Sequence, residues 1–155
     1  MTLKTGDKAP EFSLPASTGD TISLADLAGS KVVLYFYPKD DTPGCTREAC
    51  GFRDMDVPLQ SAGIKVLGVS ADNTDSHRQF AKKFSLPFPL LSDEKKEVIN
   101  AYGVWGERQV RGQTIMGIRR MTFLIDEEGV IRKIWPNVTP DDHAQEILEA
   151  VQDMG

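Results

Sequence analysis

Cysteine is scarce in this 155-residue sequence: only Cys45 and Cys50 occur. So few exclude a disulfide scaffold, and one close pair points to catalysis or redox chemistry. Long apolar runs are also missing. The longest, Val32 to Tyr37, is far too short to span a bilayer, so no membrane is expected. Positive charge is not in surplus, with 18 Lys+Arg against 23 Asp+Glu and a net charge of -5. That argues against nucleic acid or an anionic membrane as the main partner. The stretch from Met1 to Asp7 turns polar at once and has no apolar signal core, so a cytoplasmic location is expected. Histidine is as scarce, with two residues. His77 and His143 fall in different helical segments with no second ligand at metal spacing, so no metal is expected. No repeat, low-complexity tract or linker divides the chain, and its length suits one domain spanning residues 1–155.

What is present reads as alternating strands and helices. Short extended pieces lie around Phe12-Ser13-Leu14 and Thr21-Ile22-Ser23. Lys31 to Tyr37 is β-branched and aromatic, as a strand buried on both faces should be. A helix is expected from about Pro43 to Ser61, then a second buried strand from Gly63 to Ser70. Thr74 or Asp75 can cap a helix carrying Phe80 and Phe84, and Leu90-Leu91-Ser92 reads as a short extended piece. A helix with Val98, Ile99 and Tyr102 follows, then a glycine-punctuated loop from Gly103 to Gly117. Met121–Asp126 and Val130–Trp135 read as a hairpin. The closing helix should start with Thr139 as cap and Pro140 as its first residue. This order predicts an α/β fold: a mixed central β-sheet, part parallel and part antiparallel, flanked by helices on both faces. A thioredoxin-like sandwich is the natural candidate.

The chemistry concentrates between Tyr37 and Cys50, where a buried strand meets a helix. Ligands bind at such carboxyl ends of strands in open α/β sheets. Thr42 suits the N-cap and Pro43 the first helical position. Cys45 then sits in the first turn, among unpaired backbone N–H groups at the positive end of the helix dipole. Both favour thiolate, the nucleophilic form. A hydroxyl three residues earlier, on Thr42, can donate to that sulfur or to an oxygen it attacks.

The pattern Pro38-x-x-x-Thr42-x-x-Cys45, with Arg120-Met121-Thr122-Phe123 far downstream, resembles the peroxiredoxins. Cys50, five residues after Cys45, is similar to the bacterioferritin comigratory protein or Q-type branch. The likeness runs from Gly6-Asp7-Lys8-Ala9-Pro10 through Val69-Ser70-Ala71-Asp72 to Asp126. It implies a single thioredoxin-like peroxiredoxin domain that reduces hydrogen peroxide and organic hydroperoxides. In that reading Cys45 is the peroxidatic cysteine and Cys50 resolves its sulfenic acid as an intramolecular disulfide. Thr42 hydrogen-bonds the peroxide, Arg120 stabilises the thiolate and the polarised oxygens, and Pro38 shields the sulfur. Thioredoxin or a similar dithiol protein restores the thiols, no cofactor is needed, and a monomer is expected.

The residues alone leave some of this open. Arg119 and Arg120 are adjacent and face opposite ways on a strand, and only the likeness selects Arg120. Glu48, one turn after Cys45, either orients Arg120 or is a solvated acid. A general thiol–disulfide oxidoreductase and a non-enzymatic peroxide sensor remain as alternatives. The first usually carries Cys-x-x-Cys, and the second lacks any effector segment in this sequence.

Overall fold

The computed structural model describes residues 3–153. The ends of the expected 1–155 unit, residues 1–2 and 154–155, lie outside the described residues. In chain order come β1 (Ser13–Pro15), β2 (Thr21–Ser23), β3 (Lys31–Phe36), α1 (Pro43–Asp54), α2 (Asp56–Ser61), β4 (Ile64–Ser70) and α3 (Thr74–Phe84). Then follow β5 (Leu90–Ser92), α4 (Glu97–Ala101), β6 (Trp105–Val110), β7 (Gln113–Ile118), β8 (Met121–Ile125), β9 (Ile131–Trp135) and α5 (His143–Asp153).

The main sheet has the order β5-β4-β3-β8-β9. β3 pairs in parallel with β4 and antiparallel with β8, as the crossover and hairpin pattern predicts. Alternation along β3 feeds two cores. Val33 and Tyr35 pack with α1, α3 and α5 on one face. Val32, Leu34 and Phe36 pack with α4 and the β1–β2 hairpin on the other. Tyr35 stacks on Phe52 at 4.7 Å between ring centroids, which seats α1 on the sheet. The ring fits because Gly68 lies beside it on β4; a Cβ there would come within 2.8 Å of Tyr35. No helix among the described residues is long and apolar enough to cross a membrane.

Four local expectations are corrected. The helix predicted over Pro43–Ser61 is two helices, breaking at Met55. Pro58 explains the break, since its ring crowds the carbonyl four residues earlier, that of Asp54. The expected Gly103–Gly117 loop is mostly the β6–β7 hairpin, turning through Arg111 (φ 51) and Gly112 (φ 79). Apolar and polar residues mix on both its faces, so no clean alternation marked it. α3 is capped by Asn73, whose side chain accepts from the Ser76 N–H at 2.8 Å, rather than by Thr74 or Asp75. α5 begins at His143, not at Pro140. Residues 139–142 instead lie against α1, where Arg47 pairs with Asp141 at 3.0 Å.

Candidate active site

β3 delivers the chain to the end of the sheet at Tyr37, and residues 38–42 lead into α1. Thr42 holds the cap position, but its side chain does not cap α1. Its hydroxyl donates instead to the Lys39 carbonyl at 3.0 Å, leaving its lone pairs free to accept. The first helical bond runs from the Thr46 N–H to the Thr42 carbonyl at 2.8 Å. The N–H groups of Gly44 and Cys45 therefore have no intrahelical acceptor. Pro38 opens the loop and is half-buried.

Cys45 is buried and Cys50 half-buried, both as free thiols. Arg120 lies in the two-residue link between β7 and β8, not within a strand. Its Nη2 donates to Cys45 Sγ at 3.4 Å and its Nη1 to Glu48 Oε1 at 2.8 Å. Burial opposes the charge on Arg120, but Cys45 and Glu48 outweigh it and hold the guanidinium above its usual value. Arg119 turns away and donates to the Gly103 carbonyl at 2.7 Å. The structure thus separates two arginines that the sequence left equivalent.

Glu48 is buried. Its Oε2 has no protein partner among the described residues, and burial pushes its carboxyl up to about 7 although Arg120 pulls it down. Arg47 and Arg53 pair with surface acids, as expected of solvated residues. Trp135 is buried and Trp105 packs against the core edge. A cavity of about 270 Å³ opens beside Arg120, lined by Arg108, Gln109, Pro136, Asn137 and Val138. A larger one, about 420 Å³, lies at the opposite end of β4 beside Ile64 and Phe88, away from both cysteines. The smaller cavity is the relevant one, because it reaches the residue that touches the sulfur.

Two neighbours escaped sequence reasoning. A Cβ on Gly44 would lie 3.0 Å from Arg120 Nη2, so glycine gives the guanidinium room to reach the sulfur. Arg108, on the β6–β7 hairpin, is part-buried near Arg120. Burial and then the Arg120 charge hold it below its usual value. Its signal was hidden with the hairpin itself.

The model of the AhpC/TSA family matches residues 5–134. A Bcp peroxiredoxin of Coxiella burnetii is 53% identical over 148 residues, covering 96% of this chain and 98% of that protein. The chain belongs to the AhpC/TSA family of peroxiredoxins. Peroxiredoxin Bcp of Bacillus subtilis is 44% identical over 154 residues, 99% of this chain and 98% of its own. Among solved structures, the bacterioferritin comigratory protein of Xanthomonas campestris superposes with a TM-score of 0.86 at 38% identity. That match covers 92% of this chain and 91% of the other. Membership of the Bcp or Q-type peroxiredoxins makes the chain a thiol-dependent peroxidase, acting on peroxide with a thiol reductant.

Proposed function

We propose that Cys45 is the peroxidatic cysteine and Cys50 the resolving one. The observation that carries this is the contact of Arg120 with Cys45 Sγ at 3.4 Å, at the first turn of a helix. The Cys45 thiolate attacks one peroxide oxygen, the O–O bond breaks, and the electron pair leaves on the other oxygen, which takes a proton. Cys45 becomes a sulfenic acid and the peroxide becomes an alcohol or water. Charge builds on both oxygens as they separate, and the fixed fork of Arg120 supplies donors there. Thr42 accepts from the peroxide and Pro38 keeps water from the sulfur. Glu48 orients Arg120 through their 2.8 Å bond.

The Cys50 thiol then attacks the sulfenic sulfur. The disulfide forms and water leaves. Both cysteines lie in α1. Five helical residues rise about 7.5 Å and turn about 140°. A disulfide needs Cα atoms within about 7 Å and converging Cβ vectors, so the first turns of α1 unwind for this step. Unwinding also exposes the bond to a dithiol protein of the thioredoxin kind, whose two electrons restore both thiols. The X. campestris relative is described by alkyl peroxide reduction, which supports organic hydroperoxides beside hydrogen peroxide as substrates here. We place the protein in the cytoplasm, as a monomeric single domain; a lone close cysteine pair suits redox chemistry in a reducing compartment. The test is peroxide consumption coupled to a thioredoxin system. Turnover that survives Cys45→Ser overturns the reading.

A further inference from the structure

The loop from Pro38 to Thr42 is tied down through Asp40, which is buried. The Asp40 backbone N–H donates to Asp72 Oδ2 at 2.8 Å. Its Oδ1 accepts from the Tyr37 hydroxyl at 2.6 Å, and its Oδ2 accepts from the Ser76 hydroxyl at 2.8 Å. The same Oδ2 meets His77 Nδ1 at 2.7 Å. The other ring nitrogen, Nε2, lies 2.9 Å from the Leu91 carbonyl in β5. A carbonyl only accepts, so Nε2 carries a hydrogen. With Nδ1 against Asp40 and Nε2 against Leu91, the ring is locked from both sides. Asp72 Oδ2 also accepts from the Ser70 hydroxyl at 2.7 Å.

His77 has no ligand-spaced neighbour along the chain, yet the fold places Asp40, Asp72 and His77 with ligand atoms within 4.8 Å of one another. Those atoms are already engaged by Tyr37, Ser70, Ser76 and each other, which makes the cluster a hydrogen-bonded post. The anchors of Asp40 lie at the end of β3, after β4 and on α3, with β5 behind His77. None of these hydrogen bonds involves α1.

We propose that His77 is a positioning residue for the peroxide step. Through Asp40 it fixes the 38–42 loop, so Pro38 and Thr42 keep their places while the first turns of α1 unwind and rewind. This rests on the roles given above to Pro38, Thr42 and Cys45. Disulfide formation moves α1, but a loop whose Asp40 anchors all lie on other elements stays put. Unwinding then has a fixed boundary after Thr42. After reduction, α1 rewinds onto a site that is already half assembled.

Hydrogen exchange on the wild-type protein tests the boundary. In the disulfide form, amides 46–50 should lose protection by about tenfold or more, while the Asp40 amide keeps its own. Loss at Asp40 together with α1 overturns the proposal. Variants test the positioning. Single-turnover oxidation of Cys45 by hydrogen peroxide should slow by about 10- to 100-fold in His77→Gln and in Asp40→Asn. The double variant should be little worse than either, since the two act as one unit. Alkylation of Cys45 by iodoacetamide should stay within about twofold, because Arg120 still holds the sulfur. Ile99→Val, in the core on the other face of the sheet, controls for general loss of stability. Equal losses in alkylation, or in Ile99→Val, or no loss in the peroxide step, overturn the proposal. Where a variant fails to fold, the wild-type exchange result decides. Failure of the underlying mechanism would show separately, as peroxide turnover by Cys45→Ser.

Discussion

Replacing Glu48 by Gln isolates the effect of one buried carboxylate. Gln keeps the shape and still offers an oxygen to Arg120, but it does not titrate. In the folded protein burial pushes Glu48 from 4.5 up to about 7, although Arg120, bonded to one of its oxygens, pulls it down. That is ~2.5 pKa units, or about 3 kcal/mol at 1.36 kcal/mol per unit. The native state binds this proton more tightly than the unfolded chain does. Its stabilising contribution is therefore full below pH 4.5 and lost as pH rises to about 7. Relative to Glu48→Gln, the wild type should lose about 2–3 kcal/mol across that window and little more above it. Urea unfolding of both proteins, kept reduced with a phosphine, measures the difference while other titrations cancel. A difference independent of pH would refute the reasoning. A wild type that gains on the variant as pH rises would show that the Arg120 pair outweighs burial and keeps the carboxylate ionised throughout.

Three further outcomes are expected. Cys45→Ser should abolish peroxide consumption, whereas Cys50→Ser should oxidise once and hold a sulfenic acid visible by mass, advancing to sulfinic acid more readily than wild type; the reverse pattern would exchange the two roles. Arg120→Met should slow the peroxide step by about 100-fold or more with the fold retained, and Arg120→Lys should rescue little, since an ammonium lacks the planar fork; stopped-flow oxidation compares both with Arg119→Met, which should stay near wild type. Gly44→Ala should leave unfolding free energy within about 1 kcal/mol, yet slow peroxide oxidation by about tenfold, because its Cβ would sit 3.0 Å from Arg120 Nη2; an unchanged rate would show that Arg120 yields without consequence.

The legible parts of the molecule are those whose signal is local. β3 and β4 are dense β-branched runs, and both lie at the sheet centre as such runs require. Cys45 and Cys50 stand in one short motif, and the cap position of Thr42 follows from the Thr-Pro pair. The hidden parts depend on contacts between distant segments. Arg120 reaches Cys45 across 75 residues, and nothing in the Arg119-Arg120 pair says which one turns inward. The fold decides it by giving Arg119 the Gly103 carbonyl. His77 reaches Asp40 across 37 residues, and neither stands out in composition. The start of α5 shifted for the same kind of reason: local capping chemistry at Thr139 and Pro140 yields to contacts with α1.

These contacts divide the site into a firm half and a loose half. The 38–42 loop is bound by buried hydrogen bonds to α3 and to the strand ends. α1 has less holding it. Gly44 and Gly51 each lower helix stability by about 1 kcal/mol relative to alanine. Glu48 adds a buried charge that, above about pH 7, costs up to ~3 kcal/mol. Unwinding the first turns returns Glu48 to water and recovers part of that cost. In the proposed mechanism, the carboxylate that orients Arg120 for the attack on peroxide therefore also weakens the helix that opens for Cys50. Arg120 binds both Cys45 and Glu48, so it holds α1 closed most strongly while the sulfur is anionic. Once Cys45 becomes a neutral sulfenic acid, that charge-assisted bond weakens. On the roles proposed for Cys45 and Cys50, oxidation itself thus loosens the first turn, and the charge on one sulfur sets the order of attack before unwinding.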